Sequence, residues 1–264
     1  MQTTQPSTAR AMLNKVPEVT LYFWIIKILA TTVGETAADF LNFNLHFGLI
    51  NTTWIMSALL AIVLVVQFCT RRCVEGVYWL AVVLISILGT LITDNLVDNL
   101  GVPLQTTVWA FGAALAATFA VWYASEKTLS IHKVTTTRRE AFYWLAILFT
   151  FALGTAAGDL AAETLKLGYA NSALIFATMI GAVTVAYYGF RANAILAFWV
   201  AYILTRPLGA SFGDLLSQPV SNGGLGWGTV VTSAVFLSAI LALVVYLGLR
   251  RNVPTADLST ADHR

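Results

Sequence analysis

Seven acidic residues stand in stretches that are otherwise apolar: Glu35, Asp39, Asp94, Asp98, Asp159, Glu163 and Asp214. The same stretches hold only Lys27 and Arg206 as cations, an excess of five negative charges if every group ionises. Glu35 and Asp39, Asp94 and Asp98, and Asp159 and Glu163 are i,i+4 pairs, which a helix stacks on one face. Like charges at that spacing repel, and a bound cation or proton relieves the repulsion. Such oxygen donors suit Mg²⁺, Ca²⁺ or Mn²⁺ better than Zn²⁺ or Cu⁺, because no Cys, Met or His lies at the same depth. Asp39, Asp94, Asp159 and Asp214 are thus the candidate metal ligands, with Glu35, Asp98 and Glu163 added for cation binding or translocation. Thr90, Thr93, Thr155 and Asn95 could supplement them, while Asp98 and Glu163 also read as solvated helix ends. Arg206 and Lys27 are candidate gating or counter-charges that compete with the cation for the carboxylates.

The chain repeats the element that carries these acids. Trp24, Gly34 and Asp39, then Trp79, Gly89 and Asp94, then Trp144, Gly154 and Asp159, then Trp199, Gly209 and Asp214 all fit W-x9-G-x4-D without insertion or deletion. At a rise of 1.5 Å per residue the glycine stands about 15 Å from its tryptophan and the aspartate about 22 Å. A tryptophan at one membrane interface then puts glycine near mid-membrane and aspartate in the far half. The tryptophans read as interfacial anchors. Gly34, Gly89, Gly154 and Gly209, with small neighbours such as Ala38 and Gly158, read as helix-packing positions. The fourth copy adds Arg206-Pro207, which predicts a helix bend and an arginine whose acidic partner comes from a neighbouring helix.

The surrounding sequence is that of a membrane protein. Hydrophobic residues make up 58% and charged ones 11%, and eight apolar runs are expected over 19–41, 50–70, 76–100, 105–125, 140–164, 171–190, 194–217 and 228–250. Arg71, Arg72, Lys127, Lys133, Arg138, Arg139, Arg191, Arg250 and Arg251 fall in alternate connections, which by the positive-inside rule face the cytoplasm together with both termini. The expected fold class is an all-α polytopic protein of eight transmembrane helices, built from four parallel two-helix repeats as a pseudo-fourfold array or two duplicated halves. The expected divisions are a tail over 1–18, read as disordered, repeats over 19–70, 76–125, 140–190 and 194–250, a cytoplasmic linker over 126–139 and a tail over 251–264. Tryptophan intervals of 55, 65 and 55 residues argue for the two-half duplication. The polar first seventeen residues lack the apolar core of a signal peptide. Cys69 and Cys73 read as unpaired thiols, and His46 as a loop residue or a ligand at the mouth of the pathway.

Four tandem two-helix units with a signature tryptophan resemble a bacterial membrane-protein family known as a repeat of unknown function. The resemblance spans about 19–250 and implies a multi-pass protein of the bacterial inner membrane, with no activity to carry over. Function therefore rests on the charges. They point to a transporter of a small cation, most simply a divalent ion of the Mn²⁺ or Mg²⁺ class, moved by alternating access and not by an enzyme reaction. A carboxylate-ring channel, a proton-coupled organic-solute transporter, a membrane scaffold and an intramembrane aspartyl hydrolase using Gly158-Asp159 and Gly213-Asp214 are the alternatives. The expected partners are the lipid bilayer and the cation, with homo-oligomerisation left open. A net charge of +2 spread over loops gives no reason to expect nucleic acid. No cofactor is expected, and the absence of G-x-x-x-x-G-K-[ST] leaves no phosphate loop for direct ATP drive.

Overall fold

The computed structural model describes residues 14–44 and 47–251. Its described residues form eight α-helices and no strands: α1 Leu21–Asp39, α2 Leu49–Cys69, α3 Glu75–Asp94, α4 Leu104–Glu126, α5 Thr137–Asp159, α6 Gly168–Phe190, α7 Ala194–Ser217 and α8 Gly228–Arg251. His46, most of the N-terminal tail and nearly all of the 251–264 tail lie outside the described residues. Seven helices are long and apolar enough to cross a membrane, and α1 is not among them. The difference from the eight expected spans has a local cause. Lys27, Glu35 and Asp39, with Thr31, Thr32 and Thr36, dilute the apolar character of α1, and most of those side chains are buried against other helices.

The odd-numbered helices form a closed ring in which α1 touches α3, α3 touches α5, α5 touches α7 and α7 returns to α1. Each even helix packs on the odd helix of the next repeat: α2 on α3, α4 on α5, α6 on α7, and α8 on α1. The sequence repeat is therefore not the packing unit. Each repeat lends its second helix to its neighbour, and α8 closes the circle on α1. Four equivalent junctions favour the pseudo-fourfold array over two separate halves. The even helices turn apolar, exposed faces outward, among them Trp54, Ile62, Trp109, Leu174 and Leu241.

Two layers of contact hold the ring in register. In the first, each signature tryptophan packs on the aromatic residue that precedes the tryptophan of the repeat before it. Trp79 meets Phe23 at 5.3 Å between centroids, Trp144 meets Tyr78 at 5.5 Å, Trp199 meets Tyr143 at 6.1 Å and Trp24 meets Phe198 at 5.6 Å. Such pairs contribute about 1 kcal/mol each beyond area burial. This corrects the reading of the tryptophans as lipid-interface anchors. Trp79, Trp144 and Trp199 are buried and Trp24 half-buried, because the ring needs large flat groups at its helix crossings.

The second layer is made by the glycines. A Cβ on Gly34 would collide with Ser86, on Gly89 with Phe151, on Gly154 with Arg206 and on Gly209 with Thr31. The four obstructing residues all stand seven positions after a tryptophan. The glycine of each repeat thus seats the same position of the next, and the fourth seats the first. Meeting at equivalent levels requires the four inner helices to run parallel.

The segments read as soluble also pack. Lys15 Nζ lies 2.5 Å from Glu140 Oε2 and donates to the Phe68 carbonyl, so residues 14–18 are held to the bundle and are not a loose tail. Val16, Ile131 and Val134 are buried, and the Trp199 indole N–H donates to the Leu129 carbonyl at 2.9 Å. The 126–139 linker thereby covers one end of the ring. Thr136 caps α5 by accepting from the Arg139 N–H.

Candidate functional site

Steps of four residues from each tryptophan describe the inside of the ring. Three residues on stand Lys27, Val82, Ile147 and Tyr202; seven on, Thr31, Ser86, Phe151 and Arg206; eleven on, Glu35, Thr90, Thr155 and Ala210; fifteen on, the four aspartates. A helix turns slightly more than once in four residues, so these positions make a slowly winding stripe facing the ring axis. The four-helix frame is symmetric, and the chemistry mounted on it is not.

Arg206 plugs the axis. Its Nη2 donates to Glu35 Oε2 at 2.9 Å, to Thr155 Oγ1 at 2.6 Å and to Thr90 Oγ1, while Nη1 donates to the Thr31 carbonyl at 3.2 Å. Thr90 in turn donates to the Glu35 carboxylate. One guanidinium therefore binds the position eleven residues after the tryptophan in the other three repeats. Arg206 is fully buried and Glu35 nearly so, and the acid comes from a neighbouring helix as the sequence demanded. α7 runs through Pro207 without a break.

The acids gather just past this pair. Carboxylate oxygens of Glu35, Asp159 and Asp214, from three different repeats, lie within 4.8 Å of one another. Asp39 and Asp94, the other two of the four repeated aspartates, lie outside this group of three. Asp39 instead accepts from Gln218 Nε2 at 3.4 Å. Asp98 and Glu163 are exposed, as solvated helix ends would be. Thr93 donates to the Ala152 carbonyl at 3.0 Å, and Asn95 to Thr53 Oγ1 at 2.8 Å. Those two residues are thus tied to helix packing. Thr90 and Thr155 face the axis but serve the guanidinium.

Lys27 lies on the other side of Arg206. Its Nζ sits 4.1 Å from the Phe151 ring centroid and 4.2 Å from that of Tyr202, without a hydrogen-bond partner and wholly buried. Below it Tyr78 and Tyr143 share a hydroxyl hydrogen bond of 2.5 Å. From one end to the other the axis reads aromatic layer, lysine, phenylalanine, arginine, acids. Phe151, Tyr202 and the tyrosine pair were missed from sequence, although the four-residue step from each tryptophan would have found them.

A backbone feature was missed as well. α1, α3 and α5 pass directly into π-helical turns at Phe40–Asn44, Asn95–Asn99 and Leu160–Thr164, each starting at the residue after the repeated aspartate. A π turn shifts the hydrogen-bond register by one residue, and such turns occur frequently at functional sites. The fourth repeat ends differently. Its helix stops at Ser217 and the chain folds back, with the Leu225 and Trp227 N–H groups donating to the carbonyls of Leu215 and Leu216.

Neither the curated proteins nor the solved structures include a match to this chain. The tandem units are nevertheless those of a known family: its model matches residues 22–73, 77–128, 142–193 and 197–252, one match per repeat. The chain belongs to the family described as Repeat of Unknown Function (DUF347), of which it carries four tandem copies.

Proposed function

We propose that this protein is a transporter of a small cation, of the divalent Mn²⁺ or Mg²⁺ class, spanning the bacterial inner membrane eight times with both termini in the cytoplasm. The observation that carries the reading is the convergence of Glu35, Asp159 and Asp214 on the ring axis, immediately beyond the Arg206–Glu35 ion pair. Carboxylates from three repeats offer hard oxygens to one ion, and a buried arginine already holds one of them. In this reading the structure is the state in which Arg206 stands in for the ion, and loading requires it to leave Glu35. An axis closed by Arg206, Phe151, Lys27 and the tyrosines supports a carrier over an open carboxylate-ring pore.

α1 is the eighth crossing helix in this reading. Its charges are acceptable because they face the ring and not lipid. Arg71, Arg72, Lys127, Arg138 and Arg139 at the tryptophan end support a cytoplasmic placement of that end. The ring closes within one chain, so transport needs no second copy.

The test is thermal unfolding of the detergent-purified protein against Mg²⁺, Ca²⁺, Mn²⁺, Zn²⁺, Na⁺ and K⁺, beside Asp159→Asn and Asp214→Asn. A ligand at 100 times its Kd adds about 2.7 kcal/mol to the folded state. Selective stabilisation of the parent that vanishes in both variants is expected, followed by flux of the same ion into liposomes. Equal melting temperatures with every cation would remove the reading. One observation favours a second: Asp159 and Asp214 are the two Gly-Asp residues that an aspartyl hydrolase would pair, and they are brought together here. Peptide cleavage lost in both variants, without cation stabilisation, would select it.

A further inference from the structure

Lys27 is a basic group on the axis that the cation site leaves unused. Its amine touches two aromatic faces and no acceptor, so no anion fixes its proton in place. It shares the Phe151 ring with Arg206, whose guanidinium carbon lies 5.6 Å from the same centroid. Two basic groups thus sit against one ring, and only Lys27 can exist as a neutral base, since arginine stays protonated. The groups that face it are few. α7 brings Tyr202 and Arg206, and α3 and α5 bring Tyr78 and Tyr143 in the layer below. On α1 itself Glu35 stands two turns away, occupied by Arg206, and the tyrosine of α8, Tyr246, packs on Tyr22.

A cavity lies one turn from Lys27 along α1. Phe23, with Trp79, lines this cavity of about 290 Å³, whose other walls include Glu18, Thr20 and Glu75. Its carboxylates stand on the tryptophan side of the ring, opposite the cation site.

We propose that Lys27 is the proton-exchanging group of the transporter, releasing its proton through the cavity at Glu18 and Glu75 when a divalent cation displaces Arg206 from Glu35. The inference rests on the cation-transport reading. When the ion takes Glu35, Asp159 and Asp214, the freed guanidinium moves toward Phe151 and crowds the ammonium. Lys27 then passes one proton to water, keeps its nitrogen lone pair and becomes a neutral amine, and hydronium leaves toward the tryptophan side. Release of the ion returns Arg206 to Glu35 and a proton to Lys27. The cycle exchanges a divalent ion for at least one proton.

The experiment counts protons released per Mn²⁺ bound by the full-length protein in detergent. A pH-sensitive dye in weak buffer gives the count, and calorimetry in two buffers of different ionisation enthalpy checks it. Lys27→Met, which fills the aromatic slot with an apolar chain, is expected to bind Mn²⁺ and to release one proton fewer than the parent. Lys27→Gln serves the same purpose should the methionine variant not fold. Lys27→Arg, whose charge is permanent, is expected to weaken Mn²⁺ binding by about tenfold or more. An unchanged proton count in the Met or Gln variant would overturn the role of Lys27 and leave the cation site standing, with its protons coming from the carboxylates. A parent that binds no Mn²⁺, Mg²⁺ or Ca²⁺ would overturn both readings together.

Discussion

Arg206 and Glu35 show how one residue differentiates a symmetric frame. Breaking a buried ion pair from one side leaves an uncompensated charge and costs about 3–5 kcal/mol. Arg206→Gln is therefore expected to lower the melting temperature steeply, and Glu35→Gln likewise, because a neutral glutamine removes the carboxylate that pairs with the buried Arg206 guanidinium. The double variant should be more stable than the sum of the two losses implies, with a coupling of about 1–3 kcal/mol by denaturation. Strict additivity would mean that the pair seen here does not persist in solution. Mn²⁺ should rescue Arg206→Gln more than the parent, since the ion then meets a carboxylate group with no arginine to displace.

At the scale of the element, the inner and outer helices respond differently to the same change. Gly89→Ala would drive a methyl group into Phe151 and the backbone of Ala152, and Gly154→Ala would drive one into Arg206 and Pro207. Each is expected to lose about 1–3 kcal/mol through overpacking. Gly112 on α4 and Gly181 on α6 have nothing near the position of an added Cβ. Alanine there should stabilise the protein by up to about 1 kcal/mol, the helix-propensity difference. Thermal unfolding of the four variants checks the contrast, and loss at Gly112 or Gly181 would show that those faces are covered.

The whole molecule is a closed circle, so its opening point should be movable. A permutant that begins at Thr137, joins the present tails and ends at Thr136 retains every ring contact, including α8 on α1. It is expected to purify as a folded species with the same cation response as the parent. Deleting residues 228–264 should be far more damaging, since α1 loses the helix that covers it and Thr36 loses its 2.7 Å hydrogen bond to Ser233. The proposed orientation has its own test. Cys69 is exposed at the tryptophan end, so in intact cells a membrane-impermeant maleimide should spare it while labelling Asn222→Cys in the opposite loop. Labelling of Cys69 alone would invert the topology.

Much of the frame was legible in sequence because hydropathy is a local quantity. Apolar runs, charged connections and the fixed W-x9-G-x4-D spacing located eight helices, and a four-residue step fixes which side chains share a face. What that spacing left open was partnership, since equivalent repeats look alike until they are assembled. The tertiary structure decided that each even helix covers the next repeat, that the tryptophans pack between repeats and that Glu35, Asp159 and Asp214 converge. It also placed Arg206 on Glu35 and Lys27 between two rings. The physical reason is that a helix alone determines the direction of its side chains, whereas the neighbour each side chain meets depends on how the ring closes.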